Sequence, residues 1–280
     1  MNIFVIIATA FQRNHLLVER SLLSVYQQVN IDRNIIKIMI VDDNIDDYTE
    51  VIKADVQKLR SKLMLNPFEF ETSIIRNQRV KGNSGSGAWN TAIFKIYETQ
   101  PNDYIAILDD DDAYLDDYLY TSQSIINANS ELLGIFQQIK WINHDGSDFI
   151  VNLTKDLLTS QAFFIGNPGV QGSNMFFKCS SIVEINGFNE NFPNTTDREL
   201  MIRFLKHLER QNGWQKFLHV EEKIGVLHYN HLSRRVSSDL RLKKIGLDLF
   251  YQTFRHDFSD IDYEKSILRA QKLFDYQPEI

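Results

Sequence analysis

Short apolar runs that each stop abruptly on a polar or acidic residue constrain this chain more than any other feature. The run of residues 2–8, apolar after Asn2, stops at Thr9, residues 35–41 stop at Asp42, and residues 104–108 run straight into Asp109. Between them, residues 15–28, 48–63 and 88–98 space their apolar side chains as one face of a helix, and residues 70–75 read as a further strand. Strands this uniformly apolar, alternating with helices, predict parallel βαβ units with right-handed crossovers and helices on both faces of the sheet. In open sheets of that kind ligands collect outside the carboxyl ends of the strands, so the polar residues that follow each strand are the first place to look for chemistry.

The second half is less regular. Residues 132–143 read as a strand that turns through His144-Asp145-Gly146-Ser147 into residues 149–151, and residues 175–178 as another. Leu200, Met201, Phe204, Leu205 and Leu208 trace one face of a helix with Asp197 and Glu199 in its first turn, where the helix dipole favours acids. Residues 217–220 and 224–229 are expected as two more strands, and residues 239–274 as a helical tail whose aromatic residues read as core, with a homo-oligomer contact as the alternative.

At 280 residues and 43% hydrophobic, the chain can bury a sizeable core. Its net charge of −7 provides no global positive field, which disfavours a nucleic-acid partner. The single cysteine, Cys179, excludes an intramolecular disulfide and a multi-cysteine zinc site. No window approaches the ~20 apolar residues of a membrane-spanning helix, and the N-terminus reads as a strand rather than a basic leader. These features lead to the expectation of a cytoplasmic protein, either free or peripheral at the inner membrane surface.

Asp109, Asp110, Asp111 and Asp112 follow one strand without interruption. Crowded carboxylates repel unless a cation lies among them, and hard oxygen donors select magnesium, manganese or calcium; the alternative is a solvated loop opening the next helix. The helix-loop-helix calcium pattern fails, with Tyr114 where Gly is needed and Tyr120 where Glu is needed. Asp42 and Asp43, expected at an adjacent strand end, suit ribose or base hydrogen bonds or a simple turn. Arg76, Arg79 and Lys81 precede Gly82, Gly85 and Gly87 and a helix start, an arrangement open to a phosphate or to a flexible turn. No Gly-x-Ser-x-Gly elbow is present, which weakens a hydrolase reading.

In order, these pieces resemble the family 2 glycosyltransferases, which have the GT-A fold. The resemblance is carried by Thr9-Ala10-Phe11-Gln12-Arg13, by Ser21 through Gln28, by Val41-Asp42-Asp43-Asn44, by Asn83-Ser84-Gly85 through Asn90, and by Leu108-Asp109-Asp110-Asp111-Asp112. Gly187-Phe188-Asn189-Glu190 and Thr196-Asp197-Arg198-Glu199-Leu200 through Arg203 complete it, so that it spans residues 1–235. It implies an α/β fold with a Rossmann-like, mostly parallel central sheet flanked by helices. A nucleotide-sugar-binding half (1–130) and an acceptor-binding half (131–235) would be followed by a C-terminal helical extension (236–280).

The resemblance further implies an inverting transferase moving a sugar from a nucleotide donor, UDP-linked by preference, to a glycan, lipid-linked or protein acceptor. Thr9, Phe11 and Asp42 would hold the base with Arg13 nearby, Asp109 and Asp110 would lie against the nucleotide, and Lys81 and Asn90 would complete the donor site. Asp111 would ligate Mn2+ or Mg2+, and Asp197 would be the general base, with Glu199 as fallback. Trp89 and Thr196 depart from the family pattern and keep a catalytically silent GT-A domain as the alternative. His228, His231, Arg234 and Arg235 form a segment suited to an anion or to a solvated surface, with His228 as a candidate added metal ligand.

Overall fold

The computed structural model describes residues 1–230 and 239–278. The first half runs β1 (Ile3–Thr9), α1 (Asn14–Leu16), a π-helical turn (Leu17–Ser21), α2 (Leu22–Tyr26), β2 (Ile36–Asp42), α3 (Thr49–Lys62), β3 (Glu71–Arg76), α4 (Ser86–Tyr97) and β4 (Tyr104–Asp109). Next come β5 (Ala113–Tyr114), α5 (Tyr118–Ala128), β6 (Gly134–Asn143), β7 (Asp148–Val151), α6 (Ser160–Ile165), β8 (Phe176–Lys178) and α7 (Cys179–Val183). The chain ends with α8 (Thr196–Leu208), β9 (Leu218–Asn230), α9 (Leu240–Phe254) and α10 (Asp260–Phe274).

Among the described residues the strands form one sheet in the order β3-β2-β1-β4-β8-β6-β9-β5, with β7 paired to β6. The β3-β2-β1-β4 block is wholly parallel, because each crossover is a helix. From β8 onward the directions mix, with β8 antiparallel to both β4 and β6. Alternation along the strands divides the apolar residues between the two faces. Ile3, Val5 and Ile7 of β1 face a core built with α2, α3 and α5, whereas Phe4 and Ile6 face one built with α4, α7 and α8. Both faces are covered, which is why these strands read as continuous apolar runs.

Three expectations need correction. Residues 217–220 and 224–229 are not two strands but one, β9, whose register against β6 shifts at Gln137–Ile139; the polar residues Glu221 to Lys223 between them resemble a turn in sequence, yet they lie at an irregularity of a long strand. The 15–28 helix is interrupted by the π-helical turn. Asp42 and Asp109 are not on adjacent strands, because β1 runs between β2 and β4. In addition, Leu247, Phe250, Tyr251, Phe254, Phe258 and Tyr276 of the tail are buried in the same core as α4 and α8, so the extension is packed on the body of the molecule.

Candidate active site

Strand register places the polar strand ends in one row: Thr9 pairs with Asp42, Ala8 with Asp109, and Asp42 with Arg76. Just beyond β1 the backbone passes through two consecutive left-handed residues, Phe11 (φ 54°) and Gln12 (φ 57°), a conformation that costs on the order of 1–3 kcal/mol per residue and needs support from its surroundings. That support includes the Asn44 side chain, whose Oδ1 accepts from Gln12 N at 2.8 Å. The result is a Phe11 ring that remains 57% exposed at the sheet's carboxyl edge, with the Arg13 guanidinium 5.8 Å from its centroid.

The four aspartates that end β4 and follow it have divided roles. Asp110 is buried, accepting from Thr9 Oγ1 at 2.9 Å and pairing with Arg13 Nη2 at 2.7 Å; burial nevertheless pushes its carboxyl up to about 7. Asp112 is also buried, accepting from Ser173 Oγ at 2.6 Å and lying 2.9 Å from His228 Nδ1. Asp111 has Arg13 Nη1 at 3.5 Å, and its carbonyl accepts from Arg20 Nη1 at 2.8 Å. Burial, then the neighbouring charges of Asp112, Asp111, Asp197 and Asp110, hold the Asp109 carboxyl well above the usual carboxylate range.

Several expected binding residues are engaged within the protein. The Asp42 carboxylate is fully buried and accepts from Asn44 Nδ2 at 2.8 Å, Tyr48 N at 2.8 Å and Arg76 Nη1 at 2.6 Å, so it organises the 42–49 loop. Lys81 Nζ donates to the carbonyls of Asn44 and Ile45 at 2.9 and 3.1 Å, tying that loop to residue 81. Asn90 is buried inside α4, where Oδ1 accepts from Phe188 N at 2.9 Å and Nδ2 donates to Phe188 O at 2.8 Å and Glu190 Oε1 at 2.7 Å. Gly87 is a steric necessity, because a Cβ there would lie 2.0 Å from the Val80 carbonyl oxygen.

Asp197 approaches from the other half. It is the second residue of α8; the Gly172 N–H donates to its carboxylate, while its Oδ1 is buried without a hydrogen-bond partner. Burial raises this carboxyl to about 6, and Lys243, the Gly172 N–H and His228 hold it down. The next residue, Ser173, accepts from Asp109 N at 3.1 Å and donates to Asp112, so a single short turn joins Asp197 to the acidic run. Glu199 is removed as the fallback base: it is buried and held by Arg203 through Nε at 2.6 Å and Nη2 at 2.7 Å.

Trp89 is buried in the core against Phe188, with centroids 4.8 Å apart. The His228 ring lies tilted at 54° against Trp141, with centroids 4.2 Å apart, and its Nδ1 faces Asp112; His231, Arg234 and Arg235 lie outside the described residues. The sequence reading missed Gly172, Ser173, Arg20 and Lys243 as site residues. None of the four carried a distinguishing signal in the sequence; the π-helical turn brings Arg20 to the Asp111 carbonyl and 4.1 Å from the Tyr229 ring, and such turns are frequent at functional sites. Among the described residues no three His, Cys, Asp or Glu side chains converge as a complete metal cage. The donor set nonetheless fits a hard cation that takes most of its ligands from water and diphosphate oxygens, since Asp111 presents carboxylate oxygen beside the raised Asp109.

A mostly parallel α/β sheet flanked by helices on both faces matches the fold of the GT-A glycosyltransferases. The glycosyl transferase family 2 model matches residues 5–185, and the chain belongs to that family. Among solved structures, it is similar to S. aureus TarS 1-349 in complex with UDP-GlcNAc, at 13% identity and a TM-score of 0.63 over 98% of this chain and 73% of that one. It is also similar to the mannosyltransferase PcManGT from Pyrobaculum calidifontis in complex with GDP-Man and Mn2+, at 14% identity and a TM-score of 0.60 over 96% and 68%. No curated protein sequence matches the chain. No helix among the described residues is long and apolar enough to cross a membrane.

Proposed function

We propose that the protein is an inverting glycosyltransferase that moves a sugar from a nucleoside diphosphate, UDP by preference, to an acceptor hydroxyl. The observation that carries this reading is the buried, unpartnered Oδ1 of Asp197, joined through Gly172 and Ser173 to the acidic run at the end of β4. A carboxylate with an open acceptor atom in a water-poor site is suited to take a hydroxyl proton, and its titration near 6 leaves it mostly ionised at neutral pH.

The exposed Phe11 ring stacks on the base, and Thr9 and Arg13 hold Asp110 as a rigid wall beneath the nucleotide. Asp109 lies against the ribose, and Asp111 would hold Mn2+ or Mg2+. A bound divalent cation supplies positive charge for the departing diphosphate. Asp197 accepts the acceptor's proton as the new C1–O bond forms and the bond to the diphosphate breaks on the opposite face. Residues 1–130 serve the donor and 131–235 the acceptor, a glycan, lipid-linked or protein hydroxyl; the enzyme works in the cytoplasm, free or at the inner membrane surface. The donor complexes of the two similar structures support a nucleotide sugar, and the Mn2+ in one of them supports the cation.

Calorimetry of nucleoside diphosphate sugars with and without Mn2+ tests the donor site. The expected outcome is metal-dependent binding of one nucleotide class that Asp111→Asn weakens at least tenfold and Asp197→Asn leaves intact while abolishing turnover. Absence of nucleotide binding under every metal condition overturns the reading in favour of a silent domain, for which the burial of Trp89, a departure from the family pattern, is the supporting observation.

A further inference from the structure

The C-terminal extension delivers one cation to the neighbourhood of Asp197. Asp239 caps α9, its carboxylate accepting from Arg241 N at 2.9 Å and Leu242 N at 3.1 Å, which fixes the start of the helix and places Lys243 in its first turn. Lys243 Nζ donates to Asn194 Oδ1 at 3.0 Å. The same oxygen accepts from Thr195 N at 2.6 Å, and Thr195, left-handed at φ 68°, is the residue from which α8 starts. One turn further along α9, Gly246 lets the helix backbone close on this loop, since a Cβ there would lie 3.0 Å from Asn194 O. Phe274 of α10 covers the ammonium at 4.7 Å from its ring centroid.

Lys243 forms no contact ion pair with a carboxylate among the described residues. A half-buried ammonium in that state loses part of its hydration, and a methionine would fill the same space without that desolvation cost. The opposite charge that acts on it is that of Asp197, and it in turn heads the groups favouring the ionised Asp197 carboxylate.

We propose that Lys243 is a positioning residue for Asp197: its ammonium anchors the Asn194–Thr195 turn that presents the carboxylate, and sets a positive charge against it. The C-terminal extension thereby completes the transfer site. This inference rests on Asp197 acting as the base. The charged groups facing Asp197 are Lys243 from α9, His228 from β9 and Asp109 from the end of β4; those facing Lys243 are Asp197, Arg198 and Arg269. Burial and the two arginines lower Lys243 to about 8, still above the Asp197 carboxyl at about 6, so the lysine is charged throughout the titration of the base.

The test follows the Asp197 carboxyl by carbon NMR of full-length protein labelled at aspartate, with the resonance assigned by its loss in Asp197→Asn. Lys243→Gln, which retains a donor to Asn194 but loses the charge, is expected to raise the titration midpoint by about one pH unit, roughly a tenfold change in proton affinity. Lys243→Arg is expected to restore the midpoint to within about 0.3 unit. The acidic limb of kcat/KM moves with the NMR midpoint while donor affinity, read by calorimetry, stays constant. A Lys243→Gln protein that binds donor normally and titrates at the wild-type midpoint overturns the proposal, as does one that does not bind donor. Full turnover by Asp197→Asn instead overturns the base assignment, whatever Lys243 does.

Discussion

Burial that raises the Asp197 carboxyl from 3.8 to about 6 has a thermodynamic consequence opposite to its chemical use. Between those values the folded protein binds more protons than the unfolded chain, so this group's contribution to stability is present below about 3.8 and is lost as pH rises through about 6. Asp197→Asn is therefore expected to raise unfolding free energy by ~1–3 kcal/mol at pH 7 and to leave it unchanged below pH 4, as urea melts at the two pH values will read. The same substitution should lower turnover by ~10²–10⁴-fold. Asp110, raised to about 7, adds to the same trend, so the ligand-free protein should be more resistant to urea at pH 5 than at pH 8. Activity runs the other way, falling on the acidic side as Asp197 protonates near pH 6; a kcat/KM profile with no acidic limb in that region would contradict the assignment.

At the scale of single elements, the turn into α4 shows how backbone geometry decides which glycines matter. Gly87 has the Val80 carbonyl oxygen 2.0 Å from its missing Cβ, whereas Gly146, in the hairpin turn between β6 and β7, has φ +82° and open space around it. Gly87→Ala is expected to cost ~3 kcal/mol or more, because backbone must move; Gly146→Ala should cost ~1 kcal/mol from the left-handed conformation alone. Denaturant midpoints of the two variants check the ranking. Most elements were legible as periodic patterns, since β1, β2 and β4 are buried on both faces and therefore apolar throughout. Among the elements misread, β9 reads in sequence as two strands because Glu221, Glu222 and Lys223 look like solvent-facing turn residues, and only pairing with β6 reveals that they lie within one strand.

Across the whole molecule, α9 and α10 share a core with α4 and α8. Arg198 of α8 ties the parts together, donating to Phe163 O at 2.5 Å and Ser266 Oγ at 2.9 Å with its guanidinium 3.9 Å from the Phe250 centroid. Phe250→Ala is expected to destabilise the protein by ~3–5 kcal/mol. Trp fluorescence and far-UV circular dichroism should report one coincident thermal transition in both proteins. Two separated transitions would show that the extension unfolds by itself.

Amino-acid order alone was enough to place the parallel block with the helices between its strands, and to locate the polar strand ends and the acidic run, because burial and periodicity are written locally along the chain; Asp197 was singled out by the family resemblance, and the short helices α6 and α7 carried too few turns to show a period. It could not say which polar groups the fold itself would satisfy. Asp42, Lys81 and Asn90 are residue types that bind ligands well, but a hydrogen-bonding group takes whichever partner lies within reach: the Arg76 guanidinium and its own loop's N–H groups for Asp42, the carbonyls of Asn44 and Ile45 for Lys81, and Phe188 and Glu190 for Asn90. The same reason hid Lys243. Its neighbour Asn194 is 49 residues away, and only the packing of α9 against the start of α8 brings that charge to the carboxylate it serves.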